Sequence, residues 1–223
     1  MFRGIIFDMD GVLFDTERMS EECWMRVQRE TGIDIDRPFI RQFCGRGTAE
    51  CVRLLQERLG PGVDVEHYRR LRRRHTDAYI AAHGVPLKKG LFELLDFLQQ
   101  ARIAHTIATS TARPLTMSYL ESTGVGRYFD ASRIVCGDMV SRCKPDPEIY
   151  QIACAQLELP PGDCIAFEDS PAGIRSAYDA GLHPVMIPDM TPPTPELDAM
   201  LLERLEDLSQ AIPLLRRLMR RPQ

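Results

Sequence analysis

Apolar runs that stop abruptly at acids or hydroxyls constrain this chain more than any other feature. Phe2 to Phe7 (FRGIIF) ends in Asp8-Met9-Asp10-Gly11, as a buried strand does where its end meets solvent. Similar runs recur at Ala104–Ala108 (AHTIA), Ile134–Cys136 (IVC), Cys164–Phe167 (CIAF) and His183–Ile187 (HPVMI), separated by segments of helical composition. That alternation predicts an α/β fold, a mostly parallel sheet with helices on both faces. The stretch from about 17 to 82 breaks the rhythm. It holds no strand-like run, only helix-like segments at Glu21–Thr31, Ala49–Leu59 and Val65–Ala82, so it reads as a helical insert after strand one. Gly32 and Gly60-Pro61-Gly62 punctuate it, and hinges are expected near 14–17 and 83–90. The expected division is residues 1–15 and 86–223 for the core and 16–85 for a helical cap domain. Four prolines within Pro188–Pro195 predict an extended connection, and the amphipathic Leu205–Met219 predicts a terminal helix.

Composition narrows the function classes. With 44% hydrophobic and 27% charged residues, the 223-residue chain has the balance of a folded globular protein. A net charge of -4 gives no global field to hold a polyanion, so nucleic acid is not an expected partner. Seven cysteines, none spaced C-x-x-C, with no secretion signal, are expected as reduced thiols in a cytoplasmic protein. Asp8 and Asp10 interrupt the strongly apolar N-terminal stretch, and no membrane span is expected.

In an open parallel sheet ligands bind outside the carboxyl ends of the strands, so residues directly after each run belong to one crevice. Those positions hold Asp8 and Asp10, then Thr109, Ser110 and Thr111, then Glu168 and Asp169. Between them lies Cys143-Lys144-Pro145-Asp146-Pro147, a proline-fixed turn whose Pro147 opens the next helix. Four gathered carboxylates raise one another's proton affinity unless a cation sits among them, and a hard divalent ion with oxygen ligands, most simply Mg²⁺, resolves that conflict. One lysine and several hydroxyls add the donors an anionic phosphate needs.

Asp8-Met9-Asp10-Gly11-Val12, Thr109, Lys144-Pro145 and Glu168-Asp169 resemble, in order and spacing, the four motifs of the haloacid dehalogenase-like hydrolase superfamily. FDMDGVLFDTE, KPDPEIY and FEDSPAGIRSAYDAG are similar to the group containing beta-phosphoglucomutase and phosphoglycolate phosphatase, which carries a small helical cap on a Rossmann-like core. The resemblance implies that Asp8 is a nucleophile forming an aspartyl-phosphate and Asp10 the general acid and base. It implies that Thr109 and Lys144 contact the phosphoryl group, with Ser110 beside them. It also implies that Asp8, the Asp10 backbone carbonyl, Glu168 and Asp169 surround Mg²⁺.

An EF-hand requires glycine and glutamate at positions this loop lacks, and follows a helix rather than a strand. Gly45-Arg46-Gly47-Thr48 reads as a cap loop facing the site, with Arg46 a candidate for the substrate's distal part. The run Arg69, Arg70, Arg72, Arg73, Arg74 reads as a solvated helix face. His105 and His183 fall in predicted strands, where satisfied structural roles are expected, and Trp24 with Met25 and Val27 is expected to pack the insert. Asp10 argues against dehalogenation, since dehalogenases of the superfamily lack that second acid. The expected activity is Mg²⁺-dependent hydrolysis of a small phosphorylated metabolite. A phosphosugar mutase is the alternative, weakened because the cap histidine and arginine of that branch align with Ser20 and Thr48. A catalytically idle core used as a binding module is weakened by the presence of all four key residues. The substrate and the oligomeric state are not legible.

Overall fold

A computed structural model describes residues 2–218. Its sheet has five parallel strands, β1 (Gly4–Phe7), β2 (Ala104–Ile107), β3 (Cys164–Glu168), β4 (His183–Met186) and β5 (Glu203–Arg204), in the order β2-β1-β3-β4-β5. The helices are α1 (Thr16–Thr31), α2 (Arg37–Ile40), α3 (Thr48–Leu59), α4 (Val65–His83), α5 (Leu91–Gln100), α6 (Arg113–Thr123), α7 (Glu148–Leu157), α8 (Pro171–Asp179), α9 (Pro195–Asp198) and α10 (Ala211–Leu218). The expected α/β architecture with a Rossmann-like parallel sheet is borne out.

Strand pleating explains the layering. Alternate side chains of β1 point to opposite faces, so Ile5 and Phe7 enter one buried cluster with Leu94, Leu98 and Leu215, while Ile6 enters another with Ile149, Tyr150 and Ala177. Phe7 stacks on Phe167 at 5.3 Å, tying β1 to β3. Helices α1 to α4 bury a separate cluster of Trp24, Met25, Val27, Phe39, Leu55 and Val65. Trp24, Met25 and Val27 pack there as expected.

The chain leaves and re-enters the sheet layer along two linkers lying side by side. Asp15 N–H donates to Pro86 O at 2.9 Å and Lys88 N–H to Leu13 O at 3.0 Å, with an antiparallel bridge between Phe14 and Leu87. Buried Asp189 joins both linkers to the region after β4, its Oδ1 lying 3.0 Å from Arg18 Nε and 3.1 Å from Lys88 Nζ.

Two sequence expectations are corrected. Ile134–Cys136 forms no strand, because 3₁₀ turns at Ala131–Arg133 and Gly137–Met139 flank it closely, leaving a single bridge from Val135 to Ala108. The terminal helix does not begin at Leu205. Glu203 and Arg204 pair with β4 as an edge strand, and Asp207 then accepts from Ser209 N–H to start a short turn before α10. The last residue of that predicted helix, Met219, lies outside the described residues. His105 sits in β2 with its ring nitrogens 2.8 and 2.9 Å from the carbonyls of Ile103 and Tyr128, the satisfied structural role expected of it. His183 in β4 lies 3.1 Å from Gly162 O. Among the described residues no helix is long and apolar enough to cross a membrane.

Candidate active site

Sheet register builds the site. Phe7 pairs with Ile107 on one side and Phe167 on the other, so Asp8, Ala108 and Glu168 emerge at one level. The turn after β1 then folds back, with Gly11 N–H donating to Phe14 O at 2.7 Å. Gly11 has φ +84 and lies against Asp169, whose carboxylate a Cβ at position 11 would overlap, so only glycine brings these two loops together.

Lys144 is the hub of this arrangement. Its Nζ donates to Asp8 Oδ1 at 2.5 Å, Glu168 Oε1 at 2.6 Å and Ala108 O at 3.0 Å, and the residue is 1% exposed. Tyr150 OH donates to the same Glu168 oxygen at 2.6 Å, while Glu168 Oε2 accepts from Asp169 N–H at 3.2 Å. Burial disfavours the Lys144 cation, but Asp8 and Glu168 outweigh that and raise its pKa above the ordinary lysine value. Burial holds Asp8 well above the usual carboxylate range despite Lys144, and Glu168 and Asp10 push it the same way. Asp169 is raised by burial first and then by Glu168 and Asp8.

Asp10 is oriented differently. Its Oδ1 accepts from Thr16 Oγ1 at 2.5 Å and its Oδ2 from Thr111 Oγ1 at 2.7 Å, with Thr109 Oγ1 at 3.5 Å. Thr109 is fully buried and accepts from Thr111 N–H at 3.0 Å. Ser110 Oγ donates at 3.2 Å to Gly45 O, across to the loop before α3. Asp8, Asp10, Thr109 and Ser110 line a cavity of about 620 Å³ whose opposite wall is formed by α1, the 43–48 loop, α3 and α4. Arg46 lines it from that loop but is paired with Glu50.

A divalent cation fits the donor set. One oxygen each from Asp8, Glu168 and Asp169 lie within 4.8 Å of one another, and Asp169 Oδ1 is buried with no hydrogen-bond partner. Hard cations take such carboxylate oxygens. The Asp10 side chain is outside this group, turned to Thr16 and Thr111. Because Asp8 and Asp169 hold their protons more tightly than ordinary carboxylates, a metal entering here displaces protons as pH falls through their raised pKa values. Mg²⁺ affinity is therefore expected to weaken as pH falls. Calorimetric titration in two buffers of different ionisation enthalpy measures the proton release, and a pH-independent affinity would contradict it.

The arginine run needs correction. Arg70, Arg73 and Arg74 are exposed as expected, but Arg69 and Arg72 are half-buried and, with Arg73, line the cavity. Positions 69, 72, 73 and 76 share one face of α4 at helical spacing, and packing of α4 against α1 turns that face inward. Arg72 Nε is buried without an acceptor, and burial lowers its pKa. Sequence reasoning also passed over Glu17, in the first turn of α1. Burial and then the Asp10 charge push its carboxyl up to about 7, while hydrogen bonds from Cys44 and Gly45 N–H pull it down. Its signal was its place in the helix turn directly after the Asp8–Asp10 loop.

Acids and one buried lysine meet at the carboxyl ends of a Rossmann-like parallel sheet, facing helices α1 to α4 across the cavity. A family model described as haloacid dehalogenase-like hydrolase matches residues 5–187, and the chain belongs to that family. It is 35% identical, over 82% of its length and 84% of the relative's, to validoxylamine A 7'-phosphate phosphatase of Streptomyces hygroscopicus subsp. limoneus. It is 32% identical, over 80% and 82%, to a phosphorylated carbohydrates phosphatase of Thermotoga maritima. The crystal structure of CbbY from Rhodobacter sphaeroides in complex with phosphate superposes with a TM-score of 0.78 at 26% identity, covering 94% of this chain and 96% of that one.

Proposed function

We propose that this protein is a phosphoric monoester hydrolase that releases phosphate from a small phosphorylated carbohydrate-like metabolite, with Asp8 as nucleophile. The observation that carries the reading is the pair of unlike carboxylates at one end of the cavity. Asp8 is bonded to a buried cation, and Asp10 is bonded only to hydroxyls. The two similar phosphatases support the reaction and the substrate class.

Lys144 donates to Asp8 and opposes the upward push of burial, favouring the carboxylate that attack requires, so that Asp8 takes the phosphoryl group and one hard displacement becomes two easier ones. Asp10, aimed by Thr16 and Thr111, protonates the leaving oxygen and then takes a proton from the attacking water. Thr109 and Ser110 supply hydroxyls toward the phosphoryl oxygens, and Lys144 offsets their charge. Asp8, Asp169, Glu168 and the Asp10 carbonyl would hold Mg²⁺, which when bound neutralises charge on the transferring group. Helices α1 to α4, residues 16–85, act as a cap that excludes water and selects the substrate. Ser20 and Thr48 line the cavity at the positions where the mutase branch carries its histidine and arginine, so hydrolysis is favoured over phosphosugar transfer.

The test is phosphate release from a panel of sugar and polyol phosphates with and without Mg²⁺. Release that chelation abolishes and Mg²⁺ restores is the expected result. A folded, Mg²⁺-supplemented protein that releases phosphate from none of them would overturn the proposal.

A further inference from the structure

The cavity has two ends of opposite character. At the core end lie Asp8 and Asp10; on the opposite wall α4 presents Arg69, Arg72 and Arg73 beside the single acid Asp77, with Arg46 on the loop before α3. Arg46 and Arg69 have protein partners in Glu50 and Glu66. Arg72 has none: among the described residues its guanidinium makes no hydrogen bond and no ion pair, and its Nε is shut off from solvent. Its charged neighbours Arg69 and Arg73 repel it, and the nearby Tyr119 is neutral at ordinary pH, its own pKa pushed up to about 12. A guanidinium cannot shed its proton to escape such a place, so the group stays charged, with its Nε enclosed and without an acceptor among the described residues. A buried donor left unmade costs stability, which marks a position completed by something the chain does not carry. The planar fork of arginine matches the oxygens of phosphate and carboxylate.

We propose that Arg72, flanked by Arg69 and Arg73, binds a second anionic group at the non-reacting end of the substrate, so that preferred substrates are phosphate esters bearing a further phosphate or carboxylate. This deepens the phosphatase reading and rests on it for the position of the reacting end. It also assigns specificity to α4 rather than to the 45–48 loop, whose arginine is held by its own helix.

Matched probes test it: fructose 1,6-bisphosphate and 6-phosphogluconate carry a charged tail, whereas fructose 6-phosphate does not. Wild type is expected to show kcat/KM at least about tenfold higher for one of the charged-tail probes, and which one responds separates a phosphate from a carboxylate tail. Arg72→Gln should raise KM for that probe at least about tenfold more than for fructose 6-phosphate, with Arg72→Lys recovering part of the difference. Arg70→Gln, on the outward face of α4 and paired with Asp64, serves as the control and leaves both KM values unchanged. The melting temperature of Arg72→Gln should equal or exceed that of wild type, because the deleted cation has no partner to strand. Equal KM changes for charged and neutral tails, or no wild-type preference, would overturn the proposal. If no probe is hydrolysed, the phosphatase reading fails by itself, and calorimetric binding to the Mg²⁺-loaded protein still decides. Fructose 1,6-bisphosphate or 6-phosphogluconate binding at least about tenfold tighter than fructose 6-phosphate, and losing that margin in Arg72→Gln, sustains the anion site; equal affinities reject it.

Discussion

Asp8→Asn is expected to lower phosphate release by about 10⁴-fold or more while leaving the protein folded. The amide has the volume of the carboxylate but cannot attack phosphorus, and Lys144 retains Glu168 as a partner. Stability follows a separate rule with a definite sign. Burial raises the Asp8 pKa in the fold above its unfolded value, so its contribution is fully present below the unfolded pKa and is lost as pH rises through the raised one. Removing that charge without metal should therefore leave the melting temperature at pH 8 equal to or above that of wild type. Rapid-quench kinetics beside calorimetry check both halves. Turnover within tenfold of wild type would assign the nucleophile elsewhere.

Lys144→Met should cost both stability and activity. The substitution keeps an unbranched side chain but strands Asp8 and Glu168, which both bond to the same ammonium. Breaking such a buried arrangement from one side costs about 3–5 kcal/mol. The penalty has a pH signature, because two unscreened carboxylates gain protons more readily. The deficit against wild type should be small at acid pH and widen as pH rises. Urea titrations at pH 5 and pH 8 measure it, and a deficit independent of pH would show that lost packing rather than lost charge is responsible. Activity is expected to fall at least about 10³-fold at either pH, since among the described residues Lys144 is the cation bonded to Asp8.

The sheet and the acid loops were readable because strand ends and chemistry coincide. Asp8 and Glu168 each lie where an apolar run ends, and parallel register then sets them level. What escaped was decided by packing. Glu203 and Arg204 are polar, and they form a strand only because β4 offers an unpaired edge. Ile134–Cys136 is apolar enough for a strand, yet the turns on either side leave Val135 alone to bridge. The arginine run shows the same limit from the other direction. Spacing places Arg69, Arg72, Arg73 and Thr76 on one face of α4, but no sequence rule says whether that face meets water or a cavity. Arg72 became distinctive only once its missing partner was visible. Glu17 was passed over for a related reason: a glutamate in a first helical turn is ordinary until burial beside Asp10 shifts it.

The paired linkers carry a consequence for how this protein changes over time. The chain enters the helical insert at Asp15 and returns at Pro86, the two linkers joined by the Asp15–Pro86 and Lys88–Leu13 backbone hydrogen bonds. The chain thus crosses between sheet and insert at two neighbouring points, and the core cluster and the insert cluster bury different residues. Asp8 and Lys144 are held by core residues alone, whereas Asp10 also accepts from Thr16 of the insert, so a change in the length or packing of the insert reaches the site first through Asp10.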